Sequence, residues 1–358
     1  MYLSRLDHLR FFAAFLLVVH HFRGNIGYDF GSNFLSFIML WLNNGSTGVS
    51  LFLVLSGYLF CILCKAGEYK IVYSKFIKNR ILRIFPLLTV LFFCILCVSR
   101  QDSTPMDILR LFTLQLNTGH SYTGWGHNYY PSGPIWTIAV EFQFYLIFPF
   151  LILFFHQYGF KYIIFLIAFM LFLKLNISVL SGGELYNNLY HTIVGRLDQF
   201  CVGIIFGWLC LKKDDYNLFF LKKNWVGFIF IIFLLSILTF LFVLPKQTII
   251  SSTLYFLLEA LCWGGIIITY QNIKFNFYPL IDKFLAKMGS ISFSIYLLHL
   301  PIGVMIMKLF SFQTATTFMD LLFQWMIIIP TVFLISFLSY YVIEKPFMSL
   351  RVKYLIKD

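Results

Sequence analysis

Residues 225–244 read WVGFIFIIFLLSILTFLFVL, a run without a single charged side chain. A bilayer-crossing helix needs about 20 mostly apolar residues, because every backbone amide in hydrocarbon must be satisfied within the segment. Outward from this run, nine more stretches of the same kind lie at 8–25, 46–64, 84–99, 134–155, 161–177, 193–211, 252–270, 289–309 and 321–342, separated by short polar or basic breaks. The expected fold is all-α: a polytopic integral membrane protein with about ten transmembrane helices. Of the 358 residues 60% are hydrophobic and 12% charged, with mean hydropathy +0.83, so lipid is the main solvent. What remains cannot hide a soluble catalytic domain of about 100 residues. Residues 1–358 are therefore expected to form a single transmembrane domain with no appended soluble domain. Any chemistry then falls to side chains in the membrane or its loops.

An even number of crossings brings both termini to one side, and the basic residues decide which. With a cytoplasmic N-terminus, twenty of the 27 Lys and Arg fall inside, including the run from Lys65 through Arg83, and seven outside. Both termini are expected to be cytoplasmic. The net charge of +12 then reflects topology and contact with anionic lipid rather than nucleic-acid binding. The first span lacks a small-residue cleavage site and carries Arg10, His20, His21 and Arg23, so it is read as retained. Cys61 with Cys64 and Cys94 with Cys97 have ligand spacing, but the topology sets the pairs most of a membrane apart. No metal site is expected, and the thiols read as small packing residues.

Ionisable groups within spans are costly and by default mark function. Arg10 and His21 are eleven residues apart, which at ~100° and ~1.5 Å per residue sets them on one helical face about 16 Å apart. They can touch two ends of one long ligand; the alternative is that Arg10 reaches the lipid surface and His21 is interfacial. Asp7 lies one turn before Arg10. Arg80 and Arg83 have the i, i+3 spacing that clamps a phosphate, although arginines that merely set topology look the same. Glu141 is roughly two turns into an apolar helix, where a carboxyl must be paired, protonated or functional. It suits general acid-base work, alone or beside His21, or a purely structural hydrogen bond. His299 precedes Pro301, whose ring frees the Leu297 carbonyl and kinks the helix. The loop 100–133 offers His120, Tyr122, Trp125, His127, Asn128, Tyr129 and Tyr130, groups that suit a sugar or an interfacial aromatic belt.

Arg10 with His21, Phe52 through Tyr58, Arg80 through Pro86, Trp136 through Tyr145, Arg196 through Phe200 with Gly203, Ser290 through Pro301, and Glu344-Lys345-Pro346 follow one another across residues 7–346. In that order they resemble the acyltransferase-3 family, membrane enzymes that move acyl groups, usually acetyl, onto envelope polysaccharides. The resemblance implies an O-acetyltransferase of the bacterial inner membrane that uses cytoplasmic acetyl-CoA and holds no permanent cofactor. It implies His21 as the catalytic residue, with Arg10 its partner; Glu141, in the family's tryptophan-glutamate motif, is expected to orient or stabilise the imidazole. Arg80 and Arg83, with Arg10, become the acyl-donor site. Asp7, Trp136, Tyr145, Arg196 and His299 become pocket or acceptor-binding residues. The implied acceptor is a polysaccharide such as O-antigen or capsule, or a lipid-linked glycan. Two departures are mild: Thr137-Ile138 stands where Ser-Leu is more usual, and Lys345 where Arg is. Some relatives append an external esterase-like domain, whereas this sequence stops at Asp358. Transfer is then expected to finish in the membrane domain or on a separate partner. The rival reading is a transporter or flippase for a glycan or acylated small molecule, since buried His, Arg and Glu also line translocation paths.

Overall fold

The computed structural model describes residues 3–27, 33–98, 100–101, 104–117, 135–180, 185–213, 223–273, 275 and 277–357. Its helices are α1 (Ser4–His21), α2 (Phe34–Asn43), α3 (Thr47–Leu63), α4 (Tyr73–Val98), α5 (Pro105–Thr113), α6 (Ile135–Tyr158), α7 (Phe160–Leu180), α8 (Leu185–Tyr190), α9 (Ile193–Leu211), α10 (Asn224–Val243), α11 (Ile249–Asn272), α12 (Pro279–Ser290), α13 (Ser292–Leu309), α14 (Phe318–Ser339) and α15 (Lys345–Ser349). A π-helical turn, Tyr340–Glu344, joins the last two. Two short strands, β1 (Tyr69–Ile71) and β2 (Leu355–Lys357), pair antiparallel.

Each of the ten expected spans coincides with a helix. By length and apolarity eight of the described helices can cross a membrane, and a ninth span arises if α2 and α3, bent by 59°, count as one. The sequence reading did not separate α2. Its start is fixed by Asn33, whose side chain accepts from the Ser36 amide at 2.8 Å. The helix α1 differs from the lipid-facing helices in carrying Arg5, Asp7 and Arg10. It is packed against α3, α12 and α13 instead, which gives its charged groups protein partners. The helix α4 begins at Tyr73 rather than near residue 84, so Arg80 and Arg83 stand on a continuous helix.

The centre of the bundle is built by α3, α9 and α11, while α7, α10 and α14 keep much of their apolar surface outward. Small residues allow the tightest crossing. A Cβ at Gly57 would come within 2.1 Å of the Phe200 carbonyl oxygen, and one at Gly203 within 2.2 Å of that of Val54. Only glycine at both positions lets the backbones of α3 and α9 approach so closely. Phe144 of α6 stacks on Phe200 of α9 at 3.8 Å. Between α7 and α9 the fully buried Lys174 and Asp198 form an ion pair of 2.6 Å, each charge compensating the other away from water.

Both ends of the chain meet at one end of the bundle. Arg5 donates to the carbonyls of Tyr270 and Phe275 at the end of α11, at 2.8 and 2.6 Å, and to that of Ile273. The C-terminal segment runs beside α4: Val72 N donates to Tyr354 O at 2.9 Å, and Asn79 exchanges two hydrogen bonds with the Val352 backbone, 2.7 and 3.0 Å. This end, rich in Lys and Arg, is the basic end below.

Candidate active site

A cavity of about 290 Å³ opens between α1, α3, α4, α6 and α13. On α3 its wall consists of Val49, Phe52, Leu53, Ser56, Leu59, Phe60 and Leu63, an i, i+3, i+4, i+7 stripe extending about 21 Å along the axis. The cavity is thus a slot parallel to the helices, and its polar groups are sorted along its length.

Arginines line its basic end. Arg80 projects from α4 against the rings of Phe60, Phe76 and Tyr145, with 5.1, 5.4 and 5.6 Å to their centroids. Arg83, one turn further, lies 5.5 Å from the Phe293 ring. Arg10 reaches in from α1 and is paired with Asp7 at 2.6 Å. Arg351, just past α15, completes the group. Burial, with the neighbouring charges of Arg83 and Arg80, pulls its guanidinium down to about 10, so it stays cationic at neutral pH.

Farther along, Glu141 of α6 accepts hydrogen bonds from Ser56 Oγ at 3.3 Å and from the Tyr145 hydroxyl. These donors supply the carboxyl with hydrogen-bond partners in an apolar bundle. At the end away from the arginines, the hydroxyls of Thr137 and Tyr296 meet at 2.5 Å.

One turn of α13 beyond Tyr296 lies His299, fully buried, with Nδ1 2.7 Å from the Tyr296 carbonyl oxygen. Its Nε2 is 3.2 Å from Nδ1 of His21. His21 Nδ1 also lies 2.8 Å from the Leu17 carbonyl oxygen. Carbonyls only accept, so both Nδ1 atoms carry the hydrogen of the neutral rings. His299 Nε2 then offers a lone pair to His21, and His21 Nε2 is left as a basic lone pair. His21 itself is solvent-accessible.

The family model for an acyltransferase domain of the acyltransferase-3 type matches residues 3–341. The chain belongs to the acyltransferase-3 family. It is similar to the O-acetyltransferase OatA of Staphylococcus aureus, in strains NCTC 8325 and COL alike: 26% identical over 330 residues, covering 85% of this chain and 51% of the relative. The chain spans about half the length of the curated relatives it matches. No solved structure matches it.

In this acyltransferase-3 chain the structure gathers Arg10, Arg80, Arg83, Glu141 and Tyr145 around one cavity and holds Asp7 behind Arg10. His21, Trp136, Arg196 and His299 do not line it; His21 stands beyond the lining, in contact with His299. Trp136 packs on His191 and Tyr190, at 4.6 and 5.1 Å. Arg196 is 1% exposed, caged by Tyr190 and Phe256 and bonded to Ser50 and Gln199. Both lie in the first turns of α6 and α9, packed on neighbouring side chains. Glu141 is turned to Ser56 and Tyr145, and the rings against His21 are those of His299 and His20, with 5.0 and 5.1 Å between centroids. The aromatic loop residues His120 to Tyr130 lie outside the described residues.

Three groups of the acyltransferase-3 cavity were missed in the sequence. Ser56 and Tyr296 stand inside quoted motifs, but nothing in their spacing told which would face inward. Arg351 lies in a non-helical tail, and its place depends on strand pairing with residues about 280 positions earlier.

Proposed function

We propose that this chain is an O-acyltransferase that moves an acetyl group from cytoplasmic acetyl-CoA to a hydroxyl of an envelope polysaccharide, such as O-antigen or capsule, at the bacterial inner membrane. One observation carries this reading: Arg10 lines a cavity whose basic end gathers Arg80 and Arg83, and the same helix leads to the free Nε2 of His21, about 16 Å farther along its axis. The name of the S. aureus relative, an O-acetyltransferase, supports it.

The excess of Lys and Arg orients the basic end to the cytoplasm. Donor phosphates rest on Arg80 and Arg83, and the thioester arm follows the α3 stripe past Ser56 and Glu141. The acceptor, a polysaccharide or lipid-linked glycan, presents a hydroxyl to His21. His21 Nε2 takes the hydroxyl proton as the oxygen attacks the thioester carbonyl. The C–O bond forms, the C–S bond breaks, and the imidazolium returns the proton to the departing thiolate. Acetyl-CoA and alcohol become ester and CoA. His299 and the Leu17 carbonyl keep the His21 ring in the reactive tautomer.

The test is purified protein in liposomes with acetyl-labelled acetyl-CoA and unacetylated envelope glycan. Free CoA and alkali-labile label on the glycan are expected; glycan movement without thioester cleavage would make the chain a transporter.

A further inference from the structure

Four arginines line the cavity, and they are not alike. Arg10 has its counter-ion in Asp7. Among the described residues no carboxylate stands within ion-pair distance of Arg80, Arg83 or Arg351. The buried carboxyl of Glu344 accepts a hydrogen bond from Ser294 and is close enough to feel the charges of Arg83 and Arg351, but it is not within ion-pair distance of either. Several guanidinium nitrogens are buried without a hydrogen-bond partner: Nε of Arg80, and Nε and Nη2 of Arg351. Burying such donors unsatisfied is costly, and crowding three like charges adds to the cost. An arrangement of this kind is stable when an anion completes it.

The tail that carries Arg351 is held in register. Asn79 and Arg80 are adjacent on α4, as are Arg351 and Val352 on the tail. The two hydrogen bonds between Asn79 and Val352, 2.7 and 3.0 Å, bring Arg80 and Arg351 to the same part of the cavity wall. Beyond it, Tyr354 packs on Phe76 at 5.4 Å, and β2 pairs with β1 so that Leu355 faces Ile71 and Lys357 faces Tyr69.

We infer that Arg351 is the third guanidinium of a phosphate-binding site with Arg80 and Arg83, and that the C-terminal strap, fastened by Asn79 and β1, is a working part of that site. Its ligand is a phosphate or diphosphate ester. It rests on the function proposed above only for the ligand's name, since that reading makes the ester coenzyme A. Arg351 contacts the ligand; Asn79 is a positioning residue.

The experiment measures stabilisation of the full-length protein, in detergent, by inorganic pyrophosphate and by CoA, with phosphate-free pantetheine as control. The native protein is expected to respond to pyrophosphate and CoA. Arg351→Gln should weaken both by about tenfold or more, as befits loss of a charge-assisted contact, and leave the pantetheine response unchanged. Arg351→Lys should recover part of the loss, and Asn79→Ala should weaken pyrophosphate in the same direction with Arg351 present. Melting without ligand identifies any variant that fails to fold, and the Lys variant then carries the comparison. Pyrophosphate binding that is absent from the native protein, or equal in native and Arg351→Gln protein, overturns the inference. A pyrophosphate response that depends on Arg351 without any CoA response upholds the site and removes coenzyme A as the donor.

Discussion

Nε2 of His299 lies 3.2 Å from Nδ1 of His21, with 5.0 Å between ring centroids, although the two residues are 278 positions apart. The contact joins the first span to α13, one helical turn beyond Tyr296 of the cavity wall. Among the described residues, Nδ1 of His21 is engaged and Nε2 has no hydrogen-bond partner.

His299 is therefore expected to position His21 rather than touch substrate. His299→Ala should lower kcat by roughly 10–100-fold, the size of effect seen when a supporting partner is lost, with little change in KM for the donor. His299→Gln, which places an acceptor oxygen near the lost Nε2, should restore much of the rate. Steady-state transfer from labelled acetyl-CoA, with melting to confirm the fold, checks both.

The buried pair Lys174 and Asp198 supports a stability prediction. Lys174→Met or Asp198→Leu alone should destabilise by about 3–5 kcal/mol, because each leaves an uncompensated charge. The double variant should regain most of that. Thermal unfolding in detergent measures the cycle, and additive losses would mean the pair is not coupled.

At the α3–α9 crossing, Gly203→Ala puts a methyl where 2.2 Å separates it from the Val54 carbonyl oxygen. A loss of about 1–3 kcal/mol is expected as the helices part. Because α3 also forms one wall of the cavity, donor KM should rise in the same variant.

The sequence displayed much of this and concealed the rest for physical reasons. Runs such as 225–244 announce spans because lipid demands them. The eleven-residue interval from Arg10 to His21 is readable because helical geometry converts spacing into direction. Composition could not show that α1 is shielded by protein, that α2 bends into α3, or that His299 reaches His21. Those depend on which helices cross and at what height. Arg351 was hidden for a related reason: strand pairing and the Asn79 side chain set its position, and neither leaves a periodic signal.

The most direct measurement is single-turnover transfer by His21→Ala in liposomes, with CoA binding measured on the same sample. Donor binding should be retained, and acetyl transfer to glycan should fall by about 10²–10⁴-fold, the range of a lost general base. Transfer at the native rate in a folded, donor-binding His21→Ala protein would contradict the account.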